Sequence, residues 1–225
     1  MASRKDLLKI YKLLNNHFGA LHWWPADSPF EVMVGAVLTQ NTAWTNVEKA
    51  IAALKTRNLL SPESLWQTNE DALSDVIRPS GYYRVKARRL KSLVRFLLDE
   101  YDGHIDRMRT ERLSLLREKL LCVSGIGPET ADSILLYACG KPVFVSDAYT
   151  KRIFLRHGLI PKTMEVPQIS ELVMSLLPRD ASLFNQYHAL LVNAGKHFCR
   201  KSPNCAPCPL RDLLPEGSLP SLSGS

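Results

Sequence analysis

Apolar residues recur every three to four positions through most of the chain, the spacing that places side chains on one face of an α-helix. The pattern predicts a first helix over Asp6–Phe18, a strongly apolar and therefore buried helix over Val32–Leu38, and a last long helix over Leu183–Phe198. The sequence contains no internal repeat and no Gly/Ser linker. We therefore predict an all-α fold, followed by a frayed Ser-, Leu- and Gly-rich tail at 217–225.

One stretch, Lys119–Asp147, combines the helical pattern with an interruption by glycine. Gly125 and Gly127 break the pattern, since glycine tolerates positive φ and lets another backbone approach closely. Pro128 suits the first turn of a second helix, and a short apolar run then leads to Asp147. This helix, hairpin and helix would expose backbone N–H groups that favour an anion such as a DNA phosphate.

The arrangement resembles the helix-hairpin-helix DNA glycosylases, the superfamily that includes endonuclease III. The likeness is carried by GIG at 125–127, by the run VFV and its following aspartate at 143–147, by LTQNT at 38–42 and by a cysteine cluster near the C-terminus. It extends from about Phe30 to that cluster. Motif matches also arise by chance, and the alternative is a structural helix-turn-helix with a solvated aspartate.

The resemblance implies a two-lobed fold with a C-terminal cysteine-cluster loop. One lobe would be a helical barrel over residues 25–138 that contains the hairpin. The second would combine residues 1–24 with residues 139–225. DNA and an extruded base would lie in the cleft between these two lobes.

Composition fits a protein that binds DNA. The 225 residues include 29 Lys and Arg against 22 Asp and Glu, which gives a formal charge of +7. A basic excess favours a polyanionic partner because each neutralised phosphate releases condensed counterions, although it can also serve solubility alone. The partner expected from the resemblance is double-stranded DNA with a damaged base, bound by a monomer.

The apolar runs and the cysteines of the sequence indicate the cellular compartment of the protein. No window is apolar enough to span a membrane, and lysines interrupt the apolar residues of the N-terminus, unlike those of a signal peptide. The five cysteines, three of them clustered, fit a reducing compartment better than disulfides. We expect a cytoplasmic protein, associated with the nucleoid in a bacterium.

The resemblance assigns the chemistry to two positions. Cutting a base from its sugar passes through an oxocarbenium-like centre that a carboxylate stabilises, and Asp147 holds the matching place. Bifunctional members carry a lysine after the hairpin that forms a Schiff base with the sugar, whereas this chain has Glu129 there. Glutamate cannot form an imine. With Asp147 and Glu129 as candidate catalytic residues, we expect no Schiff-base lyase activity.

A glutamate after the hairpin is also found in the endonuclease III-like 3-methyladenine DNA glycosylases. The chain resembles these enzymes in more places. The added likeness lies in WWP at 23–25, GAVLTQNT at 35–42, RPSGYY at 78–83 and ETADSILLYAC at 129–139. In those enzymes two aromatics sandwich the base, here Trp23 or Trp24 and Trp44. The matching lysine of the pocket is Lys196. A cationic alkylpurine gains from lying between indoles, while core anchoring is the other common role of tryptophan.

The same resemblance places three polar or aromatic residues at the DNA interface together with Gly125 and Gly127. Gln40 would lie near the extruded nucleotide, although its neighbours could instead cap a helix. Ser80 and Tyr82 are candidates for the wedge that fills the duplex where the base leaves. A basic run follows on a predicted helix and could contact phosphate or simply face solvent; it comprises Lys86, Arg88, Arg89, Lys91 and Arg95.

The C-terminal cysteines resemble the iron–sulfur loop of endonuclease III. Cys199, Cys205 and Cys208 have a spacing close to that of the family's cluster loop, while about Leu214 stands where the family has a fourth cysteine. Thiolates are the usual ligands of such clusters. The loop is either a candidate [4Fe–4S] site with a non-cysteine fourth ligand or a remnant that needs no metal. Base excision itself requires no cofactor.

The sequence as a whole predicts a monofunctional DNA N-glycosylase of base-excision repair that flips out and excises alkylated purines such as 3-methyladenine. A bifunctional endonuclease III-like enzyme for oxidised pyrimidines, using another amine, is one alternative. A DNA-damage binding module without turnover is the other. Glu129 argues against the first alternative, and Asp147 argues against the second.

Overall fold

The computed structural model describes residues 2–215, and its regular structure within that range is helical. The α-helices are α1 (Arg4–Phe18), α2 (Pro29–Leu38), α3 (Trp44–Thr56), α4 (Pro62–Gln67), α5 (Glu70–Val76), α6 (Tyr83–Tyr101), α7 (Ile105–Thr110), α8 (Leu113–Cys122), α9 (Pro128–Ser133), α10 (Ala148–Arg156), α11 (Val166–Leu176) and α12 (Ala181–His197). A π-helical turn, Ile134–Ala138, continues α9. The predicted all-α fold is confirmed, while the tail at 217–225 lies outside the described residues.

Contacts between residues divide the chain into two compact units. The continuous unit is Trp24–Lys141 and contains α2 to α9. The split unit joins the residues up to Trp23 to those from Pro142 onward, and it contains α1 and α10 to α12. Among the residues that the structure describes, no helix is long and apolar enough to cross a membrane.

The buried centre of the continuous unit is α2. Every residue of α2 after Pro29 is buried, as expected of a helix that is apolar on all sides. The hydroxyl of Ser28 caps α2 by accepting a hydrogen bond from the backbone N–H of Glu31 at 3.1 Å. Pro29 stands in the first turn, where its missing N–H leaves no helical bond unmade. Contacts with α3, α6 and the π-helical turn cover α2.

A buried lysine joins the end of α2 to the loop before α6. Lys86 is only 1% exposed, and its ammonium group donates hydrogen bonds to Leu38 O at 2.8 Å, Thr42 Oγ1 at 2.6 Å and Ser80 O at 2.7 Å. Burial lowers the pKa of Lys86 to about 8. The amine therefore keeps its proton at neutral pH, and its three N–H groups match the three oxygens.

The centre of the split unit is α12, against which α1 and α10 pack. Tyr187 on α12 is fully buried and donates its hydroxyl hydrogen to Leu7 O of α1 at 2.8 Å. Phe144 meets the rings of Phe184 and Tyr187 nearly edge-on, with centroids 5.6 and 5.7 Å apart. This packing anchors the apolar run 143–145, and the chain then enters α10 at Asp147.

Replacing Lys86 by methionine should destabilise the continuous unit, because methionine keeps the apolar stem and removes the ammonium donor from three oxygens, of which Ser80 O retains the Thr42 hydroxyl as a second donor. A buried polar group left unsatisfied costs about 1–3 kcal/mol. At roughly 2–4 °C per kcal/mol, we expect the thermal midpoint to fall by about 2–12 °C. Thermal unfolding followed by circular dichroism measures this change.

The matched control is Lys49→Met, since Lys49 is an exposed lysine of α3 in the same unit. Its midpoint should stay close to that of the unchanged protein. Equal midpoints for both variants would show that the three oxygens do not depend on Lys86.

Candidate functional site

The predicted hairpin lies between α8 and α9, and its two glycines have different roles. Gly125 has φ +86°, and a Cβ there would lie 2.3 Å from Arg89 Cγ. Both the backbone conformation and the approach of Arg89 therefore require glycine. Gly127 is extended, with φ −90° and ψ 177°, and a Cβ there would meet nothing within 4 Å. The reason given above for both glycines, positive φ and close approach, thus applies to Gly125 alone.

Gln40 supports this hairpin from the end of α2. Its Nε2 donates to Gly125 O and to Thr130 Oγ1, each at 3.0 Å, and its Oε1 accepts from Arg89 Nη1. Both ends of the amide are thus engaged within the continuous unit. The predicted role of Gln40 beside an extruded nucleotide stays a prediction, and the structure adds a structural role.

The two wedge candidates differ in exposure. Ser80 is fully buried, and its hydroxyl donates to Ile77 O at 2.8 Å. Tyr82 is 73% exposed and has φ +45° at the start of α6. Of the two, only Tyr82 presents its side chain to solvent, so it is the stronger candidate for insertion into DNA.

The basic run on α6 also divides into two groups. Lys86 and Arg89 are engaged internally as described, and Lys91 donates to the backbone oxygens of Leu65, Trp66 and Thr68. Arg88 and Arg95 are exposed. The basic residues of this run therefore do not all share one role, either phosphate contact or exposure to solvent.

Asp147 is the N-cap of α10. Its Oδ1 accepts hydrogen bonds from the backbone N–H of Thr150 at 2.7 Å and from the Thr150 hydroxyl at 3.0 Å. On the other side, Oδ2 lies 3.6 Å from His188 Nε2, a distance typical of an electrostatic contact rather than a normal hydrogen bond. The first oxygen of the carboxylate is therefore fixed by α10, and the second oxygen faces His188.

The charge of Asp147 is preserved despite its burial. Asp147 is 8% exposed, and burial alone would raise the pKa of its carboxyl. His188 and the two Thr150 donors outweigh burial and hold the pKa below its usual value. The carboxylate is thus ionised across the neutral range. Sequence reasoning missed His188, which no local pattern marks, while Thr150 three residues after Asp147 matches a capping pattern.

Two of the predicted pocket tryptophans meet in the continuous unit. The rings of Trp24 and Trp44 are 5.2 Å apart and nearly perpendicular, at 88°, so they do not form parallel walls in this structure. Trp24 also lies against α2 at Gly35, where a Cβ would be 3.3 Å from the indole. Trp44 Nε1 donates to Glu48 Oε1 at 2.9 Å, and Glu48 is a residue that sequence reasoning missed.

The other two pocket residues lie together in the split unit. Lys196 on α12 places its Nζ 5.4 Å from the ring centroid of Trp23, within reach of a cation–π interaction. The predicted roles of Trp23 and Lys196 in base excision stay predictions.

Glu129, the second candidate catalytic residue, is exposed in the first turn of α9. Its predicted role in base excision also stays a prediction.

The three C-terminal cysteines line one apolar pocket of the split unit. Cys199, Cys205 and Cys208 share it with Leu214, the residue that stands in the place of the fourth ligand. Burial and the two other thiols raise the pKa of Cys208, although a backbone hydrogen bond from Leu210 opposes them. Within residues 2–215 no three or more His, Cys, Asp or Glu side chains are grouped to hold a metal ion.

The donor set for a [4Fe–4S] cluster is incomplete. It offers three thiols and, in the fourth position, Leu214, whose side chain has no ligand atom. Arginine instead holds the loop: Arg156 Nη1 lies 3.2 Å from Cys199 Sγ, and the same guanidinium donates to the backbone oxygens of Arg200 and Lys201. The predicted cluster is not confirmed.

Comparison with known proteins identifies relatives along almost the whole chain. MJ1434 of Methanocaldococcus jannaschii, which carries the provisional name DNA repair glycosylase, is 45% identical over 208 residues, 92% of this chain and 94% of that protein. A trapped endonuclease III–DNA covalent intermediate matches with a TM-score of 0.82 and 25% identity, over 96% of this chain and 98% of the other.

A third relative is an enzyme for an alkylated base. The H. pylori 3-methyladenine DNA glycosylase bound to 1,N6-ethenoadenine matches with a TM-score of 0.73 and 28% identity, over 87% of this chain and 98% of that one. The family model for the HhH-GPD superfamily base excision DNA repair protein matches residues 34–179. This match, together with the relatives and the helix–hairpin–helix leading to a capped aspartate, shows that the chain belongs to the endonuclease III-like branch of the HhH-GPD superfamily of base excision DNA repair glycosylases.

Proposed function

We propose that this protein is a monofunctional DNA N-glycosylase that removes alkylated purines, such as 3-methyladenine, from double-stranded DNA. The observation that carries the proposal is the Asp147 carboxylate, which is buried, fixed at the start of α10 and held ionised. The indoles of Trp24 and Trp44 and the likeness to a 3-methyladenine DNA glycosylase support the substrate class.

The chemistry of an alkylated purine makes an ionised carboxylate sufficient. A purine alkylated at N3 or N7 carries a positive charge while it is attached to the sugar, and it leaves as a neutral base when the bond electrons pass to it. No acid is then needed to protonate the leaving group. The positive charge moves to the sugar, where the anionic Asp147 would stabilise it, and the same carboxylate could accept the proton of the attacking water.

The side chains near the hairpin support hydrolysis without a Schiff base. Glu129 stands where an amine would be needed, and it is exposed at the first turn of α9. Lys86 does not replace that amine, because it is 1% exposed and all three of its N–H groups are engaged. Water is therefore the nucleophile that we assign.

Asp147→Asn should lower the single-turnover rate of 3-methyladenine release by at least about 100-fold, the lower range for loss of a catalytic carboxylate. Asparagine is as good an N-cap as aspartate, so α10 should persist and affinity for DNA with an abasic-site analogue should stay within about twofold. Base release from methylated DNA and fluorescence anisotropy measure the two effects.

The control for Asp147→Asn is Asp180→Asn, which removes the same charge from the exposed N-cap of α12. It should leave base release unchanged. Near-normal turnover by Asp147→Asn would remove Asp147 from the chemistry.

Borohydride should trap no covalent adduct between this protein and DNA during turnover, because the position after the hairpin holds Glu129 instead of lysine. Denaturing gel electrophoresis of a labelled oligonucleotide reads the adduct, with a bifunctional endonuclease III as positive control. A strong adduct band would establish an imine and with it the bifunctional alternative. Glu129→Lys then tests whether an amine at this place introduces trapping.

We further propose that the C-terminal loop is a packing element of the split unit that needs no metal. The supporting observations are the apolar pocket around Cys199, Cys205 and Cys208 and the hydrogen bonds from Arg156 across the loop. In addition, Arg152 Nε donates to Cys199 O at 2.5 Å. Two arginines of α10 thus hold the loop beside the end of α12.

Protein purified without oxygen should contain iron and acid-labile sulfide far below the stoichiometry of a [4Fe–4S] cluster. Removal of metal by a chelator should leave the thermal midpoint unchanged, whereas Arg156→Met should lower it, because the backbone oxygens of the loop lose their donors. Brown protein with equal iron and sulfide, destabilised by the chelator, would contradict this prediction and restore the cluster.

A further inference from the structure

We infer that Glu48 makes the tryptophan pocket selective for a positively charged purine over a neutral one, by fixing Trp44 and by placing a negative charge on its indole N–H. This inference rests on the proposed function and deepens it by naming a specificity-determining residue. Glu48 acts through Trp44, so it is a positioning residue rather than a catalytic one.

The first observation is an open pocket of about 210 Å³ in the continuous unit. Its lining includes the indoles of Trp24 and Trp44, the backbone at Gly35, and the side chains of Glu31 and Glu48. A water molecule takes about 30 Å³ of liquid, so the pocket has room for a planar heterocycle. Indole faces are electron-rich, which makes such walls attractive to a cation.

The second observation is the sign of the charge in the pocket. Glu31 is buried, and Lys55 Nζ lies 2.8 Å from its carboxylate and 2.6 Å from that of Asp27, so one ammonium group faces two carboxylates. Glu48 forms no ion pair within the part of the chain that the structure describes, and it is exposed on the next turns of α3. A chain with a net charge of +7 therefore has a locally negative pocket beside its indoles. That charge repels phosphate and favours a cationic ligand.

The third observation is the bond between Glu48 and the indole itself. Trp44 Nε1 donates to Glu48 Oε1 at 2.9 Å across one turn of α3. A hydrogen bond to a carboxylate is stronger than one to a neutral acceptor, and it draws positive charge to the N–H edge of the ring. The ring face becomes more negative as a result, which strengthens its attraction for a cation.

These observations separate two effects of Glu48 that substitutions can test. Glu48→Gln keeps an oxygen that can accept from Trp44 Nε1 and removes the charge. Glu48→Leu removes both the acceptor and the charge. Glu171→Gln, at an exposed position of α11, is the control for the general effect of one negative charge on binding to DNA.

The experiment compares single-turnover excision of 7-methylguanine, which is cationic in DNA, with excision of the neutral 1,N6-ethenoadenine from the same oligonucleotide sequence. Glu48→Gln should lower the ratio of the two rates by about three- to tenfold, as expected for a partly exposed cation–π site, with the neutral base changed least. Glu48→Leu should slow both reactions, because Trp44 loses its anchor. Glu171→Gln should leave the ratio unchanged.

Quenching of tryptophan fluorescence by free 7-methylguanosine, compared with guanosine, tests the pocket without any chemistry. The unchanged protein should bind the cationic nucleoside more tightly, and Glu48→Gln should reduce that preference, since the indoles remain. If alkylpurines are released but Glu48→Gln alters neither the excision ratio nor the nucleoside preference, the inference about Glu48 is overturned and the proposed function stands. If no alkylpurine is released, the proposed function fails, and the nucleoside preference alone decides for or against Glu48.

Discussion

The proposed chemistry depends on keeping the Asp147 carboxylate charged in a place where burial opposes the charge. Desolvation of an unpaired carboxylate would raise its pKa and neutralise it. Two donors from Thr150 and the nearby His188 reverse that tendency. Because Asp147 is also the N-cap of α10, the first turn of the helix that presents the Thr150 donors holds the carboxylate in place. The packing of Phe144 on α12 holds the chain that leads into it. Stability of the split unit and placement of the Asp147 carboxylate thus depend on the same contacts.

The features that could be predicted from the sequence are those whose cause lies within a few neighbouring residues. The helices follow from apolar spacing, the hairpin from Gly125 and Pro128, and the position of Asp147 from the apolar run before it. The support of the hairpin could not be read in this way, since Gln40 meets Gly125 across 85 positions and Lys86 meets Leu38 across 48. The presence of a glutamine or a lysine in the sequence does not predict which distant residue it will contact. His188 and Glu48 were missed for the same reason. Glu48, however, lies four positions after Trp44, a common spacing for side-chain contacts on helices.

Charge illustrates why composition alone misleads at the level of a site. The excess of Lys and Arg predicts attraction to a polyanion, yet three basic side chains of α6 are used for internal hydrogen bonds, which join the hairpin, the loop at Ser80 and α4 to the rest of the continuous unit. Conversely, the tryptophan pocket of the same unit has more carboxylates than ammonium groups. Long-range attraction depends on the sum of charges, whereas selectivity depends on the few that line a pocket.

The identity of the leaving group connects these local charges to the residue after the hairpin. A neutral damaged base needs help to depart, through protonation or through a covalent intermediate with an amine. A cationic alkylpurine already has the positive charge that protonation would give to a neutral base, and this makes it a good leaving group. An enzyme for that substrate therefore gains little from a lysine at position 129. Its difficulty is recognition, because a methyl group adds little contact area, and the charge is the larger difference from the normal base. In the proposed function, a negative pocket with indole walls would recognise the charged base, and an ionised Asp147 would stabilise the sugar cation. Glu129 in place of an amine is therefore consistent with the chemistry of the substrate class, since the positive charge is supplied by the damaged base itself.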